Sequence, residues 1–349
     1  MLVNLKLAPN ADTMSYIDQA SIPNEYNVIT TSDYLTVADA IRKLIIRGAP
    51  AIGVSAAMAV AVAARNLQAQ DTKQLHQSVS EAIDLLASTR PTAVNLFWSL
   101  DKMRKVAQQA ASLDMESYRK TLENAAQKIA EEDVSTNRQM AKYAASLIED
   151  GDTILTLCND GVLCSVEYGT AGGAFVYAAK EEHKNIHICV AETRPLFQGA
   201  RLTAWELKQE GIPYTVMTDS MMAYAFENKK ITKVILGADR ITANGDTANK
   251  IGTYTAAILA KHYGAPFYVV APSSTLDLTM QTGKEIVIEQ RDPKEVTTIN
   301  GKQIAPEGSD VLNPAFDVTP GELISAIITE KGIFYPPYSY EGLKINVEE

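Results

Sequence analysis

The chain has 349 residues, a net charge of −10, 46% hydrophobic residues and 21% charged residues. That is ordinary globular composition, long enough for one large domain or two ordinary ones without a disulfide or metal staple. The acidic balance argues against a nucleic-acid or anionic-membrane binder, which needs a surplus of Lys and Arg, and leaves room for a small anion held by a few local Arg residues.

Met1 to Asn10 lacks the basic start and long apolar core of a secretion signal. Residues 1 to about 30 read as short strands and turns. Residues 33 to 66 read as helix, broken at Arg47-Gly48-Ala49-Pro50, where Gly and Pro punctuate the pattern and the residue before Pro50 is pushed out of the helical region. The apolar stretch from Ala49 to Ala64 is rich in Ala and Gly and short for a membrane span, so a buried helix is expected. Residues 72–88 and 92–149 carry further helical patterns. Residues 1–125 therefore read as a mainly helical N-terminal domain with short strands at its start, and 126–349 as a second domain.

After Gly151 the texture changes to α/β. Short β-rich runs cover Thr153–Cys158, Ile186–Ala191, Tyr214–Thr218, Lys233–Ala238 and Pro266–Ala271. Expected helices lie between them, at 162–180, 200–210, 220–228 and 247–263. That alternation predicts βαβ units and a parallel, doubly wound sheet. Residues 280–318 read as an irregular excursion, and Pro320–Lys331 as a last helix with Pro near its first position.

In open α/β sheets, ligands bind beyond the carboxyl ends of the strands. The predicted strand ends release Cys158-Asn159-Asp160, Glu192-Thr193-Arg194, Asp219-Ser220, Asp239-Arg240 and Ser273-Ser274. A single Asp or Ser at such a place is more often a helix cap or turn residue, but here the whole set falls on one edge. Cys158 reads either as a small core residue or as a thiol facing a helix N-terminus, where a thiolate is favoured. Asp239 reads either as half of a surface ion pair with Arg240 or as an acid in the crevice, its ionisation tuned by burial and charge. Cys164 and Cys189 fall within a predicted helix and strand and read as core.

Three cysteines without a zinc-site pattern read as reduced thiols, which points to the cytoplasm. The four histidines, His76, His183, His187 and His262, share no metal-site spacing. The run Gly169-Thr170-Ala171-Gly172-Gly173 does not follow a strand directly and so fails the dinucleotide fingerprint. Neither a metal nor a nicotinamide cofactor is expected.

Several longer motifs go further. Arg47-Gly48-Ala49-Pro50-Ala51-Ile52-Gly53 and Arg90-Pro91-Thr92-Ala93-Val94-Asn95-Leu96 resemble signatures of the methylthioribose-1-phosphate isomerases. So does the stretch from Glu192-Thr193-Arg194-Pro195 through Gln198-Gly199-Ala200-Arg201-Leu202-Thr203-Ala204-Trp205-Glu206-Leu207. Gly237-Ala238-Asp239-Arg240-Ile241, Asn249-Lys250-Ile251-Gly252-Thr253 and Asn313-Pro314-Ala315-Phe316-Asp317 follow in the same order. The resemblance spans about residues 14 to 335. It departs from the family at Asp160, where a small residue is usual, and in lacking a tryptophan before the first turn.

The resemblance implies a helical N-terminal domain followed by a Rossmann-like catalytic domain, in a homodimer acting on a small sugar phosphate. It implies Cys158 and Asp239 as the catalytic pair. It implies Arg47, Gly48, Ala49, Arg90, Gln198, Asn249 and Lys250 as substrate-binding residues. The implied reaction turns an aldose 1-phosphate into a ketose 1-phosphate. In this reading Asp239 protonates the ring oxygen, Cys158 serves the hydrogen that moves from carbon 2 to carbon 1, and Arg47 and Arg90 grip the phosphate in fork geometry. Lys250 adds a charge near a helix N-terminus that itself favours anions. The same resemblance extends to regulatory subunits of a translation-initiation exchange factor and to ribose-1,5-bisphosphate isomerases.

Overall fold

In a computed structural model that describes residues 2–91 and 93–340, the chain divides into two units. Met1, Thr92 of the second motif and residues 341–349 of the expected second domain lie outside the described residues. One unit takes the chain up to Arg138 together with Gly161–Gly169, and the other takes Gln139–Asp160 and the chain from Thr170 onward. The expected boundary at residue 125 and the observed division both fall within one helix, α5 below.

The first unit opens on a small antiparallel sheet of β1 (Leu5–Leu7), β2 (Met14–Ile17) and β3 (Val28–Thr31). Five helices follow: α1 (Tyr34–Arg42), α2 (Ala49–Asn66), α3 (Thr72–Ala87), α4 (Val94–Ala110) and α5 (Met115–Ala145). Aspartates start three of them. Asp33 accepts the Leu35 N–H at 2.9 Å, Asp71 accepts the Gln74 N–H at 2.8 Å, and Asp114 before α5 accepts the Ser117 N–H at 3.0 Å, each satisfying an otherwise orphaned donor of the first turn.

Helix α2 is apolar on every side, and every residue from Ala51 to Ala64 is buried. It is long and apolar enough to cross a membrane, but 78% of it is buried among α1, α3 and α4, as a core helix should be. Its many alanines let neighbours come close. At Gly53 a Cβ would lie 2.6 Å from the Asn95 carbonyl oxygen and 2.8 Å from Ser99 Oγ. The first turns of α2 and α4 therefore touch, which brings the loops before them, carrying Arg47 and Arg90, to one end of this unit.

The segment 161–169 folds onto the same unit. Asn4 Nδ2 donates to the carbonyls of Leu163 and Ser165 at 3.0 and 2.8 Å, and Gln19 Nε2 donates to that of Leu163 at 2.7 Å. The expected helix over 162–180 is thus broken up: a 3-10 turn covers Val162–Cys164, and helix proper, α6, covers Ala171–Val176. Asn4 and Gln19 claim carbonyls that a continuous helix would have kept for itself.

In the second unit the chain runs through β4 (Thr153–Thr156), β5 (His187–Ala191), α7 (Ala204–Glu210), β6 (Tyr214–Met217), α8 (Met222–Lys229) and β7 (Lys233–Leu236). Then come β8 (Arg240–Thr242), β9 (Thr247–Lys250), α9 (Thr253–Tyr263), β10 (Phe267–Val270) and β11 (Leu276–Asp277). A short helix α10 (Lys294–Thr297) and a hairpin of β12 (Thr298–Ile299) and β13 (Lys302–Gln303) occupy the excursion. The fold ends on β14 (Phe316–Thr319), β15 (Ala326–Thr329) and β16 (Gly332–Phe334).

The main sheet has the order β16-β15-β10-β7-β4-β5-β6, parallel except for β16. From β4 the chain first moves outward to β5 and β6, then returns to add β7 and β10 on the other side. The order reverses between β4 and β7, which is where a crevice opens beyond the strand ends. At their opposite ends these two strands are joined by Lys233 and Asp152, both buried, with Nζ 2.7 Å from the carboxylate. A smaller sheet of order β11-β8-β9-β14 stands beside the main one.

Each of the five β-rich runs forms a parallel strand of the main sheet. Three other expectations fail. Residues 247–250, expected to open a helix, form β9, because Gly252 with φ 104° delays the helix to Thr253. The 280–318 excursion contains β14. The expected last helix, Pro320–Lys331, is instead a 3-10 turn at Gly321–Leu323 followed by β15. There Ala326-Ile327-Ile328-Thr329 is wholly buried between β10 and β16, and a short apolar run of that kind has no periodicity to tell strand from helix.

One buried group ties segment 161–169 to α5. The Asp133 carboxylate accepts the Val166 N–H at 2.9 Å. Although the residue as a whole is only half-buried, its carboxyl end lies against buried Val166. Burial pushes that carboxyl up from 3.8 to about 7, against the opposing pull of the Val166 N–H and Asn137. A folded value above the unfolded one means that the stability this group contributes is fully present below about pH 4 and is lost as the pH rises to about 7. Asp133→Asn keeps an acceptor and has no charge to bury. Its Tm minus that of the parent should therefore climb between pH 4 and 7 and level off above, and a difference that stays flat across this range would contradict the assignment.

Candidate functional site

The crevice edge begins at Cys158, two residues past β4. Its φ is +62°, a left-handed conformation uncommon for a residue with a side chain. The peptide is held on both sides. The Cys158 N–H donates to Thr193 Oγ1 at 2.7 Å, and the Cys158 carbonyl accepts from Thr203 Oγ1 at 2.6 Å. The thiol residue is half-buried, whereas Cys164 and Cys189 are buried as expected. Burial pushes the Cys189 thiol up, away from the reactive form.

Asn159 is buried, and its Nδ2 donates to Glu206 Oε2 at 2.8 Å. Asp160 follows, and its carboxylate accepts the Gly237 N–H at 2.8 Å. Gly237 sits one residue past β7, so this bond joins the two strands at the reversal point. A Cβ at Gly237 would lie 2.8 Å from the Asp160 carboxyl carbon, so no larger residue fits there without displacing it. The Asp160 carboxylate is thus engaged by the protein rather than simply turned to solvent.

Beyond β5, Thr193 is itself left-handed, with φ +66°. Asp219, just past β6, fixes it: its two carboxylate oxygens accept the N–H groups of Thr193 and Arg194 at 2.8 and 2.7 Å. Burial, then the nearby Asp219 charge, pushes the Glu192 carboxyl above its ordinary range. Gln198 is buried, and its Oε1 has no hydrogen-bond partner among the described residues, which suits a side chain that serves a ligand. Gly199 lets this segment sit directly on the end of β5, since a Cβ there would lie 1.9 Å from the Ala191 carbonyl oxygen.

Asp239 leaves the crevice edge two residues after Gly237, and its N–H donates to the Ala248 carbonyl at 2.9 Å. That bond sets it beside the Asn249-Lys250 end of β9. Its side chain is exposed, so the chain alone does not supply the burial that the crevice-acid reading invokes. Its neighbour Arg240 pairs instead with Asp277, at 3.2 Å.

Asn249 is buried and donates to Thr253 Oγ1 at 3.1 Å. Lys250 Nζ donates to the Ala315 carbonyl at 3.1 Å and lies 4.9 Å from the centroid of the Phe316 ring. The expected anion site at the start of α9 is already filled by the protein's own carboxylate. Asp317 accepts the N–H groups of Gly252 and Tyr254 at 2.8 and 3.1 Å. Burial nonetheless raises the Asp317 carboxyl above its ordinary range.

In the first unit, Arg47 and Gly48 precede Ala49, the first residue of α2. Gly48 has φ +92°, and a Cβ on it would lie 2.5 Å from Cys164 Cα, so glycine is required twice over. Arg90 stands in the turn before α4, where its carbonyl accepts the Ala93 N–H at 3.1 Å. Arg47, Gly48, Ala49 and Arg90 thus share one end of the first unit, and Cys158, Gln198, Asp239, Asn249 and Lys250 share one edge of the second. Sequence reasoning missed Thr193 and Thr203 as partners of Cys158, and Asp219 as the residue that holds Thr193. The two threonines lay inside recognised motifs, but nothing in the spacing tells which backbone a threonine hydroxyl will find. Among the described residues no group of three or more His, Cys, Asp or Glu side chains is placed to hold a metal ion.

A family model described as the initiation factor 2 subunit family matches residues 45–336. The chain belongs to that family. Within it, the chain is 50% identical over 338 residues to a methylthioribose-1-phosphate isomerase of Thermosipho africanus, covering 97% of this chain and 96% of the relative. It is 51% identical over 327 residues to the protein of the same name from Geotalea daltonii, covering 93% and 94%. Among solved structures, 5-methylthioribose 1-phosphate isomerase from Pyrococcus horikoshii OT3 superposes with a TM-score of 0.93 at 38% identity, covering 97% of this chain and 94% of that one. The delta subunit of translation initiation factor eIF-2B from A. fulgidus superposes with a TM-score of 0.90 at 44% identity, covering 97% of both. The family thus spans catalytic and initiation-factor names on one fold, and the residues at the crevice have to decide between them.

Proposed function

We propose that this chain is an aldose–ketose isomerase that converts 5-methylthioribose 1-phosphate into 5-methylthioribulose 1-phosphate, a step of methionine salvage. The observation that carries the reading is the placement of Cys158 and Asp239. A half-buried thiol in a left-handed turn and an acid leave the two strands between which the sheet order reverses. A regulatory subunit on the same fold needs neither group there. The names of relatives about half identical to this chain along nearly its whole length support the same conclusion.

The anomeric phosphate blocks simple opening of the sugar ring. Asp239, protonated, donates to the ring oxygen as the bond from that oxygen to carbon 1 breaks. The hydrogen on carbon 2 moves to carbon 1 with the help of Cys158, the carbon 2 hydroxyl becomes the ketone, and its proton returns to Asp239. Substrate and product are isomers, so nothing else is consumed. The exposure of Asp239 means that a bound sugar has to supply the desolvation that keeps a carboxyl protonated at neutral pH. Arg47 and Arg90 bind the phosphate in fork geometry. Gln198, Asn249 and Lys250 bind the sugar and its phosphate from the second unit's crevice edge, Lys250 as a point charge of its own with no help from the capped α9 terminus. Exposed Val94, Phe97 and Trp98, on the first turns of the helix after Arg90, offer apolar surface of the kind a methylthio group needs.

The chain works as a homodimer in the cytoplasm. Three unbridged thiols suit a reducing compartment. Met221, Tyr224, Tyr254 and Ile258, at the packed pair α8 and α9, stay exposed and make an apolar face for a second copy.

Cys158→Ser and Asp239→Asn should each lower kcat by roughly 10²–10⁴-fold with the fold intact, while Cys164→Ser and Cys189→Ser keep activity in whatever folds. A loss below about tenfold in either of the first two would defeat the assignment. On substrates, kcat/KM should be highest for methylthioribose 1-phosphate, with 5-deoxyribose 1-phosphate lower by about 10–200-fold, the worth of one apolar group. Ribose 1,5-bisphosphate should be poorest, because Asp160 repels a second phosphate. Asp160→Asn, which keeps an acceptor for Gly237, should narrow that last gap, and an unchanged ratio would show that Asp160 does not face carbon 5. Tyr224→Glu with Ile258→Glu should turn a dimer into a monomer by light scattering; a parent that is already monomeric at assay concentration would refute the dimer.

A further inference from the structure

The peptide unit of Cys158 is irregular, lies at the end of a sheet, and is nevertheless satisfied entirely by buried side chains. Thr193 and Thr203 are both buried. The Thr193 hydroxyl accepts the Cys158 N–H at 2.7 Å and spends its own proton on the Ala191 carbonyl at 3.0 Å. The Thr203 hydroxyl spends its proton on the Cys158 carbonyl at 2.6 Å and accepts from Asn159 Nδ2 at 3.3 Å. Each hydroxyl has one proton, and each proton is committed, so neither can rotate to serve another partner without losing a bond in a buried place.

These bonds continue into the scaffold on both sides. Thr193 is locked by Asp219 through its own N–H. Asn159, on the Thr203 side, is locked by Glu206 at 2.8 Å. Cys158 therefore sits between the ends of β5 and β6 on one side and α7 on the other. The left-handed φ of +62° matters because it sets the direction in which the Cα–Cβ bond leaves the backbone. In an extended conformation, which Cys prefers, that bond would point elsewhere.

We infer that Thr193 and Thr203 are positioning residues for the reaction: their hydroxyls clamp the N–H and the carbonyl that flank the Cys158 Cα and thereby aim its thiol at the sugar carbons. This rests on the reading of Cys158 as catalytic and adds to it the groups that hold it in register. A threonine that merely pinned two loops together would be expected to affect folding and not the chemical step. A clamp should affect the step itself, since displacing a reacting group by about 1 Å costs roughly 10²-fold in rate.

The test uses the full chain, with methylthioribose 1-phosphate as substrate. Thr193→Val and Thr203→Val keep the shape and remove the hydroxyl; Thr193→Ser and Thr203→Ser keep the hydroxyl. Each valine variant should lose about 10–100-fold in kcat per folded enzyme, with KM within about threefold of the parent. Each serine variant should recover to within about threefold of the parental kcat. The rate of Cys158 alkylation by iodoacetamide, read by peptide mass, should shift with valine and return with serine. If a valine variant does not fold, Thr→Ala at that position, which cannot overpack, takes its place against the serine variant. Parental kcat in both hydroxyl-free variants, with Cys158→Ser inactive, overturns the clamp and leaves the proposed function standing. Parental activity in Cys158→Ser overturns the proposed function, and the clamp with it.

Discussion

Two strands laced together at both ends govern the second unit. At one end of β4 and β7, Lys233 meets Asp152 in a buried ion pair; at the other, the Asp160 carboxylate takes the Gly237 N–H. A buried pair adds little net stability, because desolvation offsets the attraction, but it leaves few alternative registers for the strands that carry it. Here those strands are the ones at which the winding of the sheet reverses. Fixing their ends fixes the two turns that follow, and those turns carry Cys158 and Asp239. The remaining crevice residues hang from the same frame: Thr193 through Cys158, and Asn249 and Lys250 through the bond from Asp239 N–H to Ala248.

The first unit reaches precision by a different route. Its central helix has almost nothing but small side chains on the faces that others approach. Gly53 admits the backbone of α4, and Gly48 admits Cys164, each at a distance no side chain would tolerate. Close packing of this kind leaves little slack, so helix starts are placed by contact rather than by long polar side chains. That is how two arginines far apart in sequence, Arg47 and Arg90, come to the same end of the unit.

Much of this was legible in the sequence because five of the six parallel strands are short apolar runs bounded by polar turns, and turn chemistry survives in any context. What was not legible had physical causes. Ala326–Thr329 is apolar on both faces and so has no period. Thr247–Lys250 precedes a helix whose start is postponed by a left-handed glycine. The α9 N-terminus looked open to a phosphate because Asp317, which closes it, comes from β14, more than sixty residues later, and no local pattern announces such a cap. Thr193 and Thr203 were visible as motif letters, but their hydrogen bonds depend on where β4 ends in space. The candidate residues themselves came from a resemblance, and the geometry adds the reason that several of them are held as they are.

Cys158 and Thr193 share one further property with a long-term consequence. Both are held in a backbone region that suits glycine or asparagine, at a cost of about 1–3 kcal/mol for each residue kept there. At Thr193 the strain is offset by the two buried hydrogen bonds of its hydroxyl, which glycine would forfeit. The bonds of Cys158 to Thr193 and Thr203 are made by its backbone, which glycine would keep, so relief of its strain is opposed chiefly by the chemistry of its thiol. Selection for stability and selection for turnover therefore pull in opposite directions at Cys158. In a descendant relieved of catalysis, that strain has little left to oppose its release, and this position becomes the first place where the loss of an activity would be written into the sequence.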